Sequence, residues 1–261
     1  MIGEQPDLQG MSRLLHGVVQ LDPYNMDAYY FAQGEQAFRA FYRVDGQPVP
    51  RAVITHAHSD HARVGHGHYL ASQPSEGVLR TRLGEIDLQT LAYGERIVHN
   101  GVTVSLHPAG HVLGSAQVRL ELGGQVWVAS GDYKVAPDRT CAPFEPVKCD
   151  VFITESTFGL PIYRWCPDDE LFADINDWWA RNVVAGRASV LTCYSFGKAQ
   201  RILSGVDPSI GPIVVHGAVE PLNRAYRAAG VDLPETSMVT GIKDRADLRR
   251  ALVVCPPSAA A

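Results

Sequence analysis

The sequence predicts an α/β protein of two domains, a sheet-rich part at 1–166 and a parallel α/β part at 167–261. Before residue 155, apolar and polar residues alternate in several short segments, as they do in half-buried strands. After residue 167, apolar runs alternate with segments of helical spacing, which is typical of a parallel sheet. Apolar residues make up 46% of the 261 residues, so the chain can bury a core of its own.

The elements of the first part follow in order. Aromatic side chains are frequent in 1–50, but their spacing selects neither helix nor strand. The apolar run 52–54 predicts a buried strand that leads into a polar loop, and a helix is predicted around 75–83. Further strands are predicted at 102–106, 118–122, 125–129 and 150–154. Gly123 and Gly124 indicate a hairpin turn between the two middle strands of that set.

The second part has a different pattern. Asp168 is predicted to cap a helix that ends at Gly186, because apolar residues recur between them at helical spacing. Strands are then predicted at 189–193, 212–215 and 251–255, with helices at 197–203 and 220–229. Neither a repeat nor a flexible linker separates the two parts.

Composition excludes some classes of function. No segment is long and apolar enough to span a bilayer and the N-terminus lacks a signal pattern, so we expect a cytoplasmic protein without a membrane partner. The net charge of −5 argues against a broad basic surface for nucleic acid. The five cysteines form no CxxC pair, which argues against a disulfide framework and against a structural zinc site.

One motif indicates metal chemistry directly. The segment 56–61 places His56, His58, Asp60 and His61 within six residues. Imidazole and carboxylate groups suit zinc, and also manganese or iron, and a loop can wrap all four around a pair of ions. Burying so many polar groups without a metal would be costly.

His111 and Asp132 extend the motif. Each follows an apolar strand and has a glycine directly before it, which lets the backbone approach a neighbour closely. Taken alone, each would be read as a turn residue. With the first cluster in place, both become candidate metal ligands.

These motifs resemble those of a known family. Segment 56–61 resembles the HxHxDH signature of the metallo-β-lactamase superfamily, and 109–116, 130–133 and 154–159 are similar to motifs of its β-CASP nuclease branch. Segments 54–63, 160–165 and 194–201 resemble the bacterial DNA ligase-associated exonuclease group. The resemblance covers about 49–261.

The resemblance implies a fold and a ligand set. The expected fold is an αββα metallo-β-lactamase sandwich with an inserted β-CASP-type α/β domain. One divalent ion, most simply zinc with manganese as an alternative, would be held by His56, His58 and His111. Asp60 and His61 would hold a second ion, and Asp132 would bridge both. The implied catalytic residues are Asp60, Asp132 and Glu155, of which Glu155 orients a ligand or a proton donor.

The implied function is metal-dependent hydrolysis of phosphodiester bonds in nucleic acid, most specifically by a DNA exonuclease of DNA repair. An ATP-dependent DNA ligase and a helicase are the implied partners. The alternatives are a β-CASP RNA-processing nuclease and an inactive, metal-binding remnant. A thioester or lactone hydrolase of the same superfamily would lack Glu155 and the insertion, both of which are present.

Candidate substrate-binding residues lie in the second part and next to it. Ser195, Gly197 and Lys198 join a predicted strand to a predicted helix, so free amides at the helix start and the lysine are candidates for holding a phosphate. An ordinary strand-to-helix turn is the alternative. Arg164 is a further candidate for contact with the nucleic-acid backbone, and His216 is not expected to be a ligand.

The sequence also departs from the family pattern. Members of the group carry further histidine motifs after the inserted domain, whereas the last histidine here is His216. We therefore expect a sandwich that is incomplete at its C-terminal side and a second ion position that lacks one ligand.

Overall fold

The computed structural model describes Gln20–Leu21, 49–159, 162–242 and 245–259. It divides into two compact units, Met1–Ser156 and Thr157–Ala261. The aromatic residues at 24–42, and Leu160 and Pro161 of the family-like segment, lie outside the described residues. The sequence-based domain boundary at 166/167 stays a prediction.

The first unit begins with a parallel sheet. Its strands are β1 (Gln20–Leu21), β2 (Arg51–Val53), β3 (His68–Ser72) and β4 (Leu88–Leu91), and they lie in that order. Parallel neighbours need a crossover connection. Between β3 and β4 the crossover contains a 3₁₀ turn, Gln73–Ser75, and helix α1 (Glu76–Leu83), which confirms the helix predicted there. Strands β3 and β4 were not predicted.

A second, mostly antiparallel sheet follows. It contains β5 (Arg96–His99), β6 (Val102–Pro108), β7 (Ala116–Leu122), β8 (Gln125–Ala129) and β9 (Val151–Ile153), again in chain order. Only the β8–β9 pair is parallel. The predicted hairpin is confirmed, because Leu122 pairs with Gln125 and both intervening glycines have positive φ, 58° and 85°.

The two sheets of this unit share one hydrophobic core. Val53 of β2 and Leu91 of β4 belong to the same buried cluster as Val104, Leu106 and Trp127 of the second sheet. Packing apolar faces against each other removes both from water, which is the main favourable contribution to folding. The sheets therefore hold the loops at their strand ends in fixed positions.

Three of those strand ends lie together. Strands β6 and β8 are both antiparallel to β7, so they run in the same direction and end at one edge of the sheet. The end of β2 is tied to that edge, because the amide of Ala116 donates to the carbonyl of Thr55 over 2.8 Å. The loops that follow β2, β6 and β8 carry His56, His111 and Asp132.

The second unit is a parallel α/β structure, as predicted. Its sheet has the order β10 (Ser189–Thr192), β13 (Leu252–Cys255), β11 (Ile213–Val215) and β12 (Ser237–Met238), with every pair parallel. The helices between these strands and before them are α2 (Asp168–Val184), α3 (Lys198–Gly205) and α4 (Glu220–Ala228). Short 3₁₀ segments lie at Val239–Gly241, Arg245–Arg250 and Pro257–Ala259.

The prediction that Asp168 caps α2 is wrong. Pro167 occupies the cap position, and Asp168 is the first helical residue. The carboxylate of Asp168 instead accepts a hydrogen bond from Arg201 of α3, and its charge still suits the positive end of the α2 dipole.

Within the described part of the chain, no helix combines the length and the apolar character that crossing a bilayer requires.

Candidate metal centre

The loop after β2 presents the first group of histidines. His56 is fully buried and His61 is 5% exposed, whereas His58 is partly exposed and Asp60 is exposed. The carbonyl of His58 accepts hydrogen bonds from the amides of His61 and Ala62, at 3.1 and 2.8 Å. This tight turn brings the side chains at both ends of the motif to one side of the loop.

A second turn presents His111. It runs from Ala109 to Ser115, and the hydroxyl of Ser115 accepts hydrogen bonds from the amides of His111 and Val112 at 3.0 and 3.2 Å. The Ser115 carbonyl receives the amide of Ala109 and the hydroxyl of Tyr93, at 3.1 and 2.9 Å. Ser115 is 2% exposed, so the protein rather than water fixes this turn.

The third segment presents Asp132 directly after β8. Gly131 makes this approach possible, because a Cβ at that residue would lie 2.7 Å from the Cβ of Thr55, and its φ of +56° is unfavourable for other residues. The amide of Ser130 donates to the carbonyl of Ile153 in β9, at 2.9 Å. The backbone around Asp132 therefore lies against the loop that carries His56.

These three segments converge on one point. Oδ2 of Asp132 lies 3.8, 3.6 and 3.8 Å from the Nε2 atoms of His56, His61 and His111. His111 Nε2 lies 3.3 Å from His58 Nδ1. Two overlapping sets, one of His56, His58 and His111 and one of His56, His61 and Asp132, each have their ligand atoms within 4.8 Å of one another.

The donors fit divalent metal ions. Nε2 of His56 is buried without a hydrogen-bond partner among the described residues, which would be costly in a site that stayed empty of any ligand. Nδ1 of the same ring lies 3.2 Å from the Thr55 hydroxyl. A proton on Nδ1 leaves the Nε2 lone pair directed at the cluster, which is the arrangement that a metal-binding imidazole needs.

Electrostatics keeps these rings in the ligand form. Burial, and then the neighbouring His61 ring, hold the pKa of His56 well below its ordinary value. Burial and the nearby His58 and His61 rings lower the pKa of His111 to about 3. Both rings are therefore neutral at physiological pH, and a neutral imidazole nitrogen can act as a metal ligand.

The structure brings together most, but not all, of the predicted residues. His56, His58, His61, His111 and Asp132 form the cluster. Asp60 lies at its rim, with Oδ2 3.4 Å from Nε2 of His61 and a side chain that is 62% exposed. Glu155 follows β9 and is partly exposed, and its role stays a prediction.

The second unit places the predicted phosphate-binding turn at the start of α3. The amide of Gly197 donates to the Gln200 side chain at 2.8 Å, and those of Lys198 and Ala199 donate to carbonyls of the same turn. The expectation of free amides at this point is therefore wrong for these three groups. Lys198 is exposed with its ammonium 5.6 Å from the centre of the Tyr194 ring, Ser195 is partly exposed, and Arg164 is exposed.

Sequence reasoning missed three residues that support the cluster. Thr55 and Ser115 contact ligand residues through hydrogen bonds, and Arg82 of α1 donates to the carbonyl of Ala57, between two of the histidines. Thr55 and Ser115 lie in the family-like segments 54–63 and 109–116, so their position in the sequence could have indicated a supporting role. Nothing in the sequence indicates that Arg82, on helix α1, contacts the loop after β2.

The sequence of the chain is similar to those of several known proteins. The chain is 32% identical over 214 residues to a "Probable DNA ligase" of Opitutus terrae, a match that spans 80% of the chain and 20% of the relative. It is 31% identical over 124 residues to "Cleavage and polyadenylation specificity factor subunit 3" of Dictyostelium discoideum, covering 46% of the chain and 16% of the relative. It is 26% identical over 189 residues to an "RNase J-like protein" of Methanocaldococcus jannaschii, covering 62% of the chain and 44% of the relative.

The chain is a relative of the β-CASP nucleases of the metallo-β-lactamase superfamily. It spans less than half the length of each of these three relatives. No family model matches the chain.

A solved structure has a similar fold. A protein of unknown function from Enterococcus faecalis V583 superposes with a TM-score of 0.56 at 12% sequence identity, over 78% of the chain and 58% of that protein. At this identity the likeness concerns the fold alone.

Proposed function

We propose that this chain is a metal-dependent phosphodiesterase of nucleic acid, and specifically a DNA exonuclease of DNA repair. The observation that carries the proposal is the position of Asp132, whose Oδ2 lies within 3.8 Å of three imidazoles from two other segments. A carboxylate in contact with both halves of a histidine cluster is suited to bridge two cations. We also propose zinc as the ion, with manganese as the alternative, and the αββα sandwich as the fold of the first unit.

Two divalent ions in this cluster would lower the pKa of a water molecule toward neutrality and neutralise charge on the phosphoryl oxygens. The protein's own residues make this possible. His56, His58 and His111 offer neutral nitrogen donors, and Asp132 offers the bridging oxygen. Asp60, exposed at the rim, is proposed to complete the second ion position together with His61, and Glu155 is proposed to orient a ligand or a proton donor.

DNA is the preferred substrate in this proposal because a match that covers 80% of the chain is to a protein named as a probable DNA ligase. The same match supports an ATP-dependent DNA ligase as a partner, and a helicase is proposed with it. Lys198, Ser195 and Arg164 are proposed to contact the nucleic-acid backbone.

RNA processing is the second candidate, since an "RNase J-like protein" is among the relatives. Purified protein, loaded with zinc or manganese, is given single-stranded and duplex DNA and RNA of one sequence, labelled at either end. Release of mononucleotides from DNA supports the exonuclease proposal, whereas internal cuts in RNA support the second candidate.

The matched variants are Asp132→Ala, which removes the bridging carboxylate, and Asp87→Ala, which removes an exposed carboxylate that pairs with His68 on the surface. We expect cleavage to disappear only in Asp132→Ala. Equal cleavage by both variants would contradict the proposal. A wild-type protein that binds one ion tightly and cleaves nothing would identify an inactive remnant.

A further inference from the structure

Helix α1 carries two arginines with different surroundings. Nε of Arg80 pairs with Oε1 of Glu76 one turn earlier, at 2.9 Å, on the surface of the helix. The guanidinium of Arg82 is half-buried and donates to the carbonyl of Ala57, the residue between His56 and His58. One arginine of α1 therefore contacts the loop that carries the candidate metal ligands, although it is no ligand itself.

The positive charge of Arg82 lies next to the loop that carries the candidate ligands. Burial lowers the pKa of Arg82, and the nearby carboxylate of Asp60 acts in the opposite direction. Arg82 thus contacts the loop that carries residues from each proposed ion position.

A permanent cation at this place does not assist metal binding. Like charges repel, and guanidinium cannot lose its proton in the physiological range. The carboxylates of Asp60 and Asp132 cannot by themselves neutralise two divalent ions, so the loaded centre and Arg82 together would be strongly positive. Such a place is complementary to an anion.

We infer that Arg82 binds a phosphate group of the substrate beside the metal centre. This inference rests on the proposed function. Guanidinium presents several N–H groups in a planar fork that matches phosphate oxygens. The hydrogen bond to Ala57 uses one donor and orients the fork, and the remaining donors are available because the side chain is only partly buried.

The test compares Arg82→Gln, which removes the charge, with Arg82→Lys, which keeps it, and with Arg80→Gln as the matched control on the same helix. Inorganic phosphate is titrated calorimetrically into zinc-loaded protein. The dissociation constant for phosphate should rise by about tenfold or more in Arg82→Gln, because a charge-assisted hydrogen bond to phosphate is lost. It should rise much less in Arg82→Lys and stay unchanged in Arg80→Gln.

Bound zinc is measured for every variant and should match the wild type, and the melting temperature in chelator is measured to confirm that every variant folds. The Michaelis constant for bis(4-nitrophenyl) phosphate should rise in Arg82→Gln while the turnover number changes little. Unchanged phosphate affinity in Arg82→Gln would overturn the inference, and so would loss of zinc in parallel with loss of phosphate, because Arg82 would then only position the loop. A wild type that binds phosphate but cleaves no diester would refute the proposed function and leave the titration decisive for Arg82.

Discussion

Replacing Ser115 by alanine should weaken metal binding without removing any ligand. The Ser115 hydroxyl accepts the amides of His111 and Val112 at 3.0 and 3.2 Å, in a turn where Ser115 itself is 2% exposed. Alanine leaves both donors without this acceptor. A buried donor left unsatisfied costs about 1–3 kcal/mol, so the metal-free protein should lose about 2–4 kcal/mol of stability.

The effect on the metal follows from the same contacts. Without the hydroxyl, the backbone of His111 is no longer held at one distance from the Asp132 carboxylate. Loss of an outer hydrogen bond of this kind typically lowers metal affinity by about 10–100-fold. Zinc affinity is measured by competition with a chromophoric chelator, and stability by urea unfolding in excess chelator.

Ser105→Ala is the matched control. Ser105 is 1% exposed and lies on β6, but its hydroxyl contacts Nε2 of His107, at 3.1 Å, rather than an amide of the His111 turn. This variant should lose stability and keep its zinc affinity. If Ser115→Ala bound zinc within about twofold of the wild type, the idea that this hydroxyl positions His111 would be refuted.

Three further predictions concern the same regions. Gly131→Ala should destabilise the first unit by about 1–3 kcal/mol and lower its zinc affinity, because the new methyl group would lie 2.7 Å from the Cβ of Thr55 and φ at this residue is positive. Urea unfolding with and without zinc measures the effect, and a variant as stable as the wild type would contradict the prediction. The metal-free protein should lose stability as the pH falls from about 6.5 toward 3, because the pKa of His111 is lowered to about 3 and the unfolded chain binds more protons than the folded one in this range. In His111→Gln the free energy of unfolding should depend less steeply on pH, and equal slopes in the two proteins would be evidence against the prediction. Lys198→Ala should weaken DNA binding more than it lowers turnover, whereas Lys148→Ala, at another exposed lysine, should change neither. DNA affinity is measured by fluorescence anisotropy, and an unaltered affinity in Lys198→Ala would mean that the turn before α3 is purely structural.

The sequence predicted the residues that converge on the candidate centre because their chemistry is local. His56, His58 and His61 stand in one short motif, and His111 and Asp132 each follow an apolar strand, so strand ends that meet at one sheet edge bring them together. The parallel character of the second unit was equally visible, since apolar strands and amphipathic helices alternate there.

The missing parts depend on contacts between distant segments. Strand β12 has two residues, and β4 has four of which only Leu91 is buried, so neither has a pattern that favours a strand. Arg82 approaches Ala57 from 25 residues away, and no sequence rule relates the two. The amides at the start of α3 are occupied by Gln200 and by carbonyls of the turn, which a strand-to-helix pattern does not reveal.

Thr55 contacts all three segments that carry the candidate ligands. Its hydroxyl contacts the His56 ring, its carbonyl receives the start of β7, and its methyl-bearing carbon faces Gly131. The three segments that carry the candidate ligands are therefore joined through one residue, Thr55, by its side chain and by its backbone carbonyl. Ions that bind only this joined state would add their binding energy to the folding of the first unit. Metal supply would then set how much of the first unit is folded at any time.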